Sequence, residues 1–534
     1  PTAVFALRPS ALEGNTTGTE NTAVGRNALL SNTTGAGNVA VGASALSLNT
    51  TGAANVAVGP SALSSNTTGT QNTATGSRAL LYNTTGGSNS AFGYRSLENN
   101  TTGTQNTASG YQALFSNTTG SYNTASGYRA LYINTTGFNN VAIGQSALTS
   151  NTTGNTNVAV GVSALKLNTI GQYNTAVGQQ ALQDNTTAIN NSALGWRALF
   201  QNTTGAENTS IGADSLFYNT TGAQNTATGY KALNSNTTGA TNTASGHSAL
   251  YSNTTGSGQT AVGYRALYAN TTGPANVATG HDSMRMNTTG AYNVAFGHSA
   301  LYANTTANSN TALGMEALRL STTGSYNTAV GHQSLFANTT GTQNSALGQS
   351  ALKANTTGSF NTAFGVNTMF YNTTGSENTA VGRYSLYNNT ASNNTAIGNN
   401  ALYANTTGAH NVAVGRQALN SNIIGGFNVA VGHGALMSNT VSYNTAVGHE
   451  SLTANTTGVY NSAFGFGALR ASAASASNSA FGYKALFNSV SGVSNTAVGT
   501  EALYNTTASY NVGIGSHVLH SNTTGYDNTA SGYS

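Results

Sequence analysis

The pentad Asn21-Thr22-Ala23-Val24-Gly25 recurs at Asn38, Asn55, Asn72, Asn89 and Asn106, each start 17 residues after the last. A fixed short period constrains the fold strongly: a unit this small cannot bury a core alone and must stack on copies of itself. The spacing holds from Asn21 to Asn378, with Gln259 replacing one leading Asn. It continues to Asn528 through three 16-residue coils that lead into Asn394, Asn444 and Asn511. A degenerate coil containing Ala11 and Leu12 precedes the array. Residues 1–534 are therefore read as a single continuous array of about 31 coils. At about 4.8 Å per coil, that is on the order of 150 Å of solenoid.

The unit reads Asn-(Thr/Val/Ser)-Ala-(apolar or Ser/Thr)-Gly-x-x-Ala-Leu-x-x-Asn-Thr-Thr-Gly-x-x. So much Gly, Asn and Thr disfavours helix, and β-branched residues beside a compact turn favour strand. The expected fold is an all-β parallel β-solenoid. The pentad should form one short strand ending at Gly25, where a positive φ or a close backbone approach calls for glycine. A second short strand is expected through Ala28 and Leu29, and Asn32-Thr33-Thr34-Gly35 has the chemistry of the return turn.

Strand alternation puts Asn21, Ala23 and Gly25 on one face and Thr22 and Val24 on the other. The Ala23 position is nearly always Ala, and the Leu29 position is Leu apart from Met284 and Met369. The Val24 position instead varies to Phe92, Ser109, Ile143 and Thr75. Ala23 and Leu29 are therefore expected inside the coil. One Ala and one Leu per coil is a thin core against a backbone ordering cost of about 1–2 kcal/mol per residue. Further apolar burial is expected on the other face, where Val24, Val41, Val58, Ile143, Val160 and Phe296 form an uncharged stripe. These six residues are the candidate interface with another copy of the chain. The Asn21 and Asn32 columns should form side-chain amide ladders between coils.

Charged residues make up only 5% of the chain, and the formal net charge is +4. Stacked identical charges would repel at about 4.8 Å, which accounts for their scarcity. The sixteen Lys and Arg residues are dispersed, so nothing favours nucleic acid as a partner. There is no cysteine, hence neither disulfides nor thiolate metal sites. No apolar run approaches the roughly 20 residues of a membrane span.

The pentads Asn38-Val39-Ala40-Val41-Gly42 and Asn140-Val141-Ala142-Ile143-Gly144 resemble the head repeats of YadA-like trimeric autotransporter adhesins. The Asn-Thr-Ala-Val-Gly and Ala-Leu-x-x-Asn-Thr-Thr-Gly patterns are also similar to repeats of phage tail fibres. The resemblance implies a left-handed β-roll, a homotrimer, and display on a cell or virion surface. This coil is longer than the usual adhesin head repeat, and no heptad stalk, anchor barrel or chaperone-like segment is found. The chain begins at Pro1 and ends at Ser534 partway through a coil, so it is read as a segment of a longer fibre.

Candidate chemistry is sparse. Six of nine histidines (His247, His281, His298, His332, His433 and His449) lie one past the conserved Gly. His281 and His298 fall on adjacent coils, where a shared metal is conceivable by spacing. The same position also holds Tyr94, Tyr111, Arg26 and Gln145, as a variable exposed column would, and no metal or other cofactor is assigned. Twelve dispersed acids provide neither a carboxylate pair nor a repeated calcium ligand, and no nucleophile elbow is convincing, so no catalytic residue is assigned. Asn32, Asn49 and Asn66 begin Asn-Thr-Thr triplets that fit N-glycosylation if exposed, or an inward ladder if not. Tyr94, Tyr111, Tyr128, Tyr132, Tyr251 and Tyr268 suit either cross-coil stacking or contact with sugars and proteins, with stacking favoured.

The expected function is a non-enzymatic extracellular fibre or adhesin shaft. Its partners would be itself, as a homotrimer or an end-to-end filament, and a host-surface or glycan receptor. The alternative is an ice-binding or carbohydrate-binding solenoid. Thr73-Ala74-Thr75 has the Thr-x-Thr spacing of ice binders, but most coils replace the second Thr.

Overall fold

Each coil has room for only three extended residues between a buried Asn and the strand-ending glycine. Thr22–Val24, Val39–Val41 and Val56–Val58 are such strands, and all of them share this length. The computed structural model describes residues 5–7 and 10–534. It divides into two units, residues 1–272 and 273–534. The first carries the strands from Phe5–Leu7 to Thr260–Val262, and the second those from Val277–Thr279 to Thr529–Ser531.

Within each unit, successive strands pair in parallel with every residue opposite its equivalent one coil on. Thr22, Ala23 and Val24 face Val39, Ala40 and Val41, and Val412, Ala413 and Val414 face Val429, Ala430 and Val431. Both units are all-β parallel solenoids, and no helix occurs among the described residues. The degenerate first coil joins this register, with Ala6 opposite Ala23.

The strand-ending glycine meets both conditions expected of it. Gly25 has φ +135°, and a Cβ there would lie 2.6 Å from the carbonyl oxygen of Gly42. The second expected strand is not formed. Residues 26–31 follow a run of turns in which Asn27 and Leu29 take left-handed φ values of 58° and 49°. That conformation turns two successive side chains inward, and both Ala28 and Leu29 are fully buried, which strand alternation forbids. The flank still bonds coil to coil, through Leu29 N–H to the Ala45 carbonyl (3.0 Å) and Ser44 N–H to the Arg26 carbonyl (2.8 Å). A left-handed Leu costs about 1–2 kcal/mol. Full burial of its side chain contributes roughly 1.5–3 kcal/mol and offsets this.

The core is therefore thicker than one Ala and one Leu per coil: Ala23, Ala28 and Leu29 fill it, and Asn21 and Asn32 close its ends. Serines that replace Ala28 bond to backbone carbonyls, as Ser215 Oγ does to that of Gly212 at 2.8 Å and Ser385 Oγ to that of Ala396 at 2.9 Å. At the return turn, the N–H groups of Thr33, Thr34 and Gly35 all point to the Thr50 carbonyl, at 2.9, 3.2 and 3.3 Å.

The amide ladders form as expected. Asn49 Nδ2 donates to Asn32 Oδ1 (2.8 Å) and to the Gly52 carbonyl (2.9 Å). Asn38 Nδ2 donates to the same Gly52 carbonyl (2.9 Å), so the two ladders share one acceptor and tie the coil's two ends together. In the coil leading into Asn394 the missing residue falls in this turn, and Asn389 Nδ2 instead reaches the Ala391 carbonyl at 2.7 Å. Replacing Asn66 by Ala removes its bonds to Asn49 Oδ1 (2.7 Å) and the Gly69 carbonyl (3.0 Å) and the one it accepts from Asn83 (2.8 Å). The expected loss is about 2–3 kcal/mol, read by thermal denaturation. Asn66→Ser should lose less, because Ser321 occupies this column naturally with its hydroxyl 3.4 Å from the Gly324 carbonyl.

Candidate interaction surface

The outward face of the strands is set by the inward Ala. Where Ala40 is fully buried, Val41 beside it is 36% exposed, and the pattern repeats at Val58, Ile143 and Phe296. Val24 and Val160 occupy the same column and are half-buried. All six candidate interface residues thus share one face of their own unit. In the first unit the column is interrupted by Thr75, Ser109, Ser126, Thr228 and Ser245. In the second it is apolar without a break from Phe296 to Ile514, including Leu347, Phe364, Ile397 and the stacked pair Phe464 and Phe481. The column contains no charged residue in either unit. Contact here would rest on packing rather than ion pairing.

Asn32, Asn49 and Asn66 belong elsewhere. Each is fully buried, with its Nδ2 committed to the ladder. Glycosylation at that nitrogen is incompatible with this packing, so of the two alternatives the inward ladder holds, and the triplets recur because the ladder recurs. The adjacent threonines divide. Thr33 Oγ1 donates to the Thr50 carbonyl at 3.1 Å while Thr34 is exposed, giving one outward Thr rank rather than two abreast.

The aromatic columns stack between coils. Tyr94, Tyr111 and Tyr128 follow one another with ring centroids 5.4 and 5.3 Å apart, and Tyr251 lies 5.2 Å from Tyr268. Arg129 lies 5.0 Å from the Tyr132 ring centroid and adds a cation–π contact. Sequence reasoning missed a further column, just before the leading Asn. There His410, Phe427, Tyr443 and Tyr460 stack at 4.9, 5.4 and 5.4 Å. Tyr443 and Tyr460, with Ile424, border an open cavity of about 340 Å³. The signal was present as aromatic residues at one fixed offset. Its positions carry φ near 60°, where aromatic side chains are not expected.

No family model matches this chain, and no curated protein does. No helix among the described residues is long and apolar enough to cross a membrane.

Proposed function

We propose that the chain is a structural extracellular fibre or adhesin shaft that associates laterally with copies of itself through the outward strand face. One observation carries the reading: an outward column free of charge in every coil, and apolar without a break from Phe296 to Ile514, is half-buried to exposed while the Ala column beside it is buried. Exposed apolar patches of this continuity mark interaction sites. An identical column on a second copy offers the same spacing, so the face suits a like partner. The homotrimer and the surface location come from the resemblance to adhesin heads and tail fibres.

Sedimentation of the soluble chain tests the reading. The parent is expected to sediment as an oligomer. Val41→Lys, Val58→Lys and Val160→Lys together, with Phe364→Lys added for the second unit, should yield monomers that keep the parent's circular dichroism. A parent that is monomeric, or an oligomer indifferent to the lysines, would overturn it.

Carbohydrate binding is a second reading, favoured by the exposed rings of Phe427, Tyr443 and Tyr460 beside Ile424. It requires that Tyr443→Ala abolish retention on a glycan the parent binds.

A further inference from the structure

The position after the strand-ending glycine repeats every coil, so like side chains there stand about 5 Å apart. At His433 and His449 the two imidazoles stack, with centroids 5.0 Å apart and planes 21° from parallel. Glu450 follows His449, and ligand atoms from the three residues all lie within 4.8 Å of one another. Among the described residues this is the one group of three or more His, Cys, Asp or Glu side chains that meets this spacing.

On the side of the preceding coil, the sequence clears space for this carboxylate. The next position along the coil carries a side chain from Asn27 through Gln417 and again at Lys484, Glu501 and His517. It is glycine only at Gly434 and Gly467, the coils immediately before and after Glu450. A Cβ on Gly434 would stand 3.7 Å from Glu450 Cγ, so a longer side chain there would compete for the carboxylate's place. His433 Nδ1 is shielded from solvent and has no hydrogen-bond partner, and a buried polar atom in that state calls for an explanation such as an ion. Arg470 Nε holds Glu450 Oε2 at 2.8 Å, which orients the carboxylate while leaving its other oxygen for a ligand bond.

We propose that His433, His449 and Glu450 form a divalent transition-metal site that staples two adjacent coils. Two imidazole nitrogens and a carboxylate oxygen suit zinc, and also cobalt, nickel and copper, with water completing the shell. Metal–ligand bonds of about 2.0–2.2 Å bring tetrahedral donors to about 3.3 Å from each other. Closing the present spread takes small rotations of side chains, and His449 is exposed enough to make them. Arg416, in the same column one coil before His433, and Arg470 add positive charge nearby, so the affinity should lie in the micromolar range, on the order of 1–100 μM.

Calorimetric titration of the full chain with Zn²⁺ in a non-coordinating buffer, with Co²⁺ absorption as a second readout, tests this proposal. One equivalent is expected. His449→Ala should abolish it, and Glu450→Gln should weaken it about tenfold or more. His332→Ala, which removes a lone member of the same column, should change nothing. Circular dichroism should be unaltered throughout, because the altered side chains are not part of the core. Absence of binding below about 1 mM, or uptake that survives both His449→Ala and Glu450→Gln, would overturn the site.

Discussion

Replacing Leu165 by Asp is expected to unfold the coils around it. Leu165 is fully buried, with φ 50°, in the column between Leu148 and Leu182, and its N–H donates to the Ala181 carbonyl at 3.0 Å. The substitution removes a buried side chain worth roughly 2–3 kcal/mol and puts a carboxylate among apolar neighbours, so the combined penalty should exceed about 4 kcal/mol. In a stacked array each coil is held mainly by its two neighbours, so the damage should stay local. Hydrogen exchange should show lost protection between about residues 148 and 182, together with a lowered melting temperature. Leu250→Asp should do the same in its own neighbourhood. Leu165→Met should be close to neutral, since Met284 and Met369 take this column at full burial. An Asp variant that kept the parent melting temperature and exchange pattern would place Leu outside the energetic core.

How far the fold could be read from the chain follows from which interactions repeat. Position-by-position tolerance at Ala23 and Leu29 reports burial directly, and both lie in the core. The amide ladders were legible because an Asn column can stack, donor to acceptor, where a charged column cannot. Ala28 and the turn-rich flank were not legible, because the sequence argument assumed strand alternation there. A left-handed Leu or Met in each coil breaks alternation, and no composition rule predicts that conformation for either. The same blindness hid the column of His410, Phe427, Tyr443 and Tyr460, which also sits at left-handed positions. Asn32 shows where the sequence leaves a choice open: its triplet fits an exposed acceptor or an inward ladder, and the coil's geometry decides for burial. The Glu450 group was not legible from the histidine column alone, which pairs His281 with His298 as readily as His433 with His449 and does not include the acid. The distinguishing feature was the glycine one coil before the acid, Gly434.

The two glycine columns should respond differently to the same small change. At Gly154, in the return turn, a Cβ would stand 2.4 Å from both Asn151 Oδ1 and the Gly171 carbonyl oxygen. At Gly161, which ends the strand, it would stand 2.4 Å from the Gly178 carbonyl oxygen, so crowding alone does not separate the sites. Natural replacements do separate them. Ala188, Ala307 and Ser475 occupy the return-turn column, and their carbonyls still accept from Asn174, Asn293 and Asn461 at 2.9, 2.8 and 2.8 Å. The turn therefore accommodates a Cβ at this column with its hydrogen bond kept. The strand-ending column carries glycine in every coil from Gly25 to Gly532, and Gly161 has φ +136°, a conformation essentially restricted to glycine. Gly161→Ala therefore adds about 1–3 kcal/mol of backbone strain to a steric clash, and an expected loss of about 3 kcal/mol or more follows. Gly154→Ala should lose about 1 kcal/mol. Melting temperatures of the two variants, measured side by side, decide the point. Equal losses would mean that close packing between coils, rather than the dihedral angle, fixes glycine at the end of every strand.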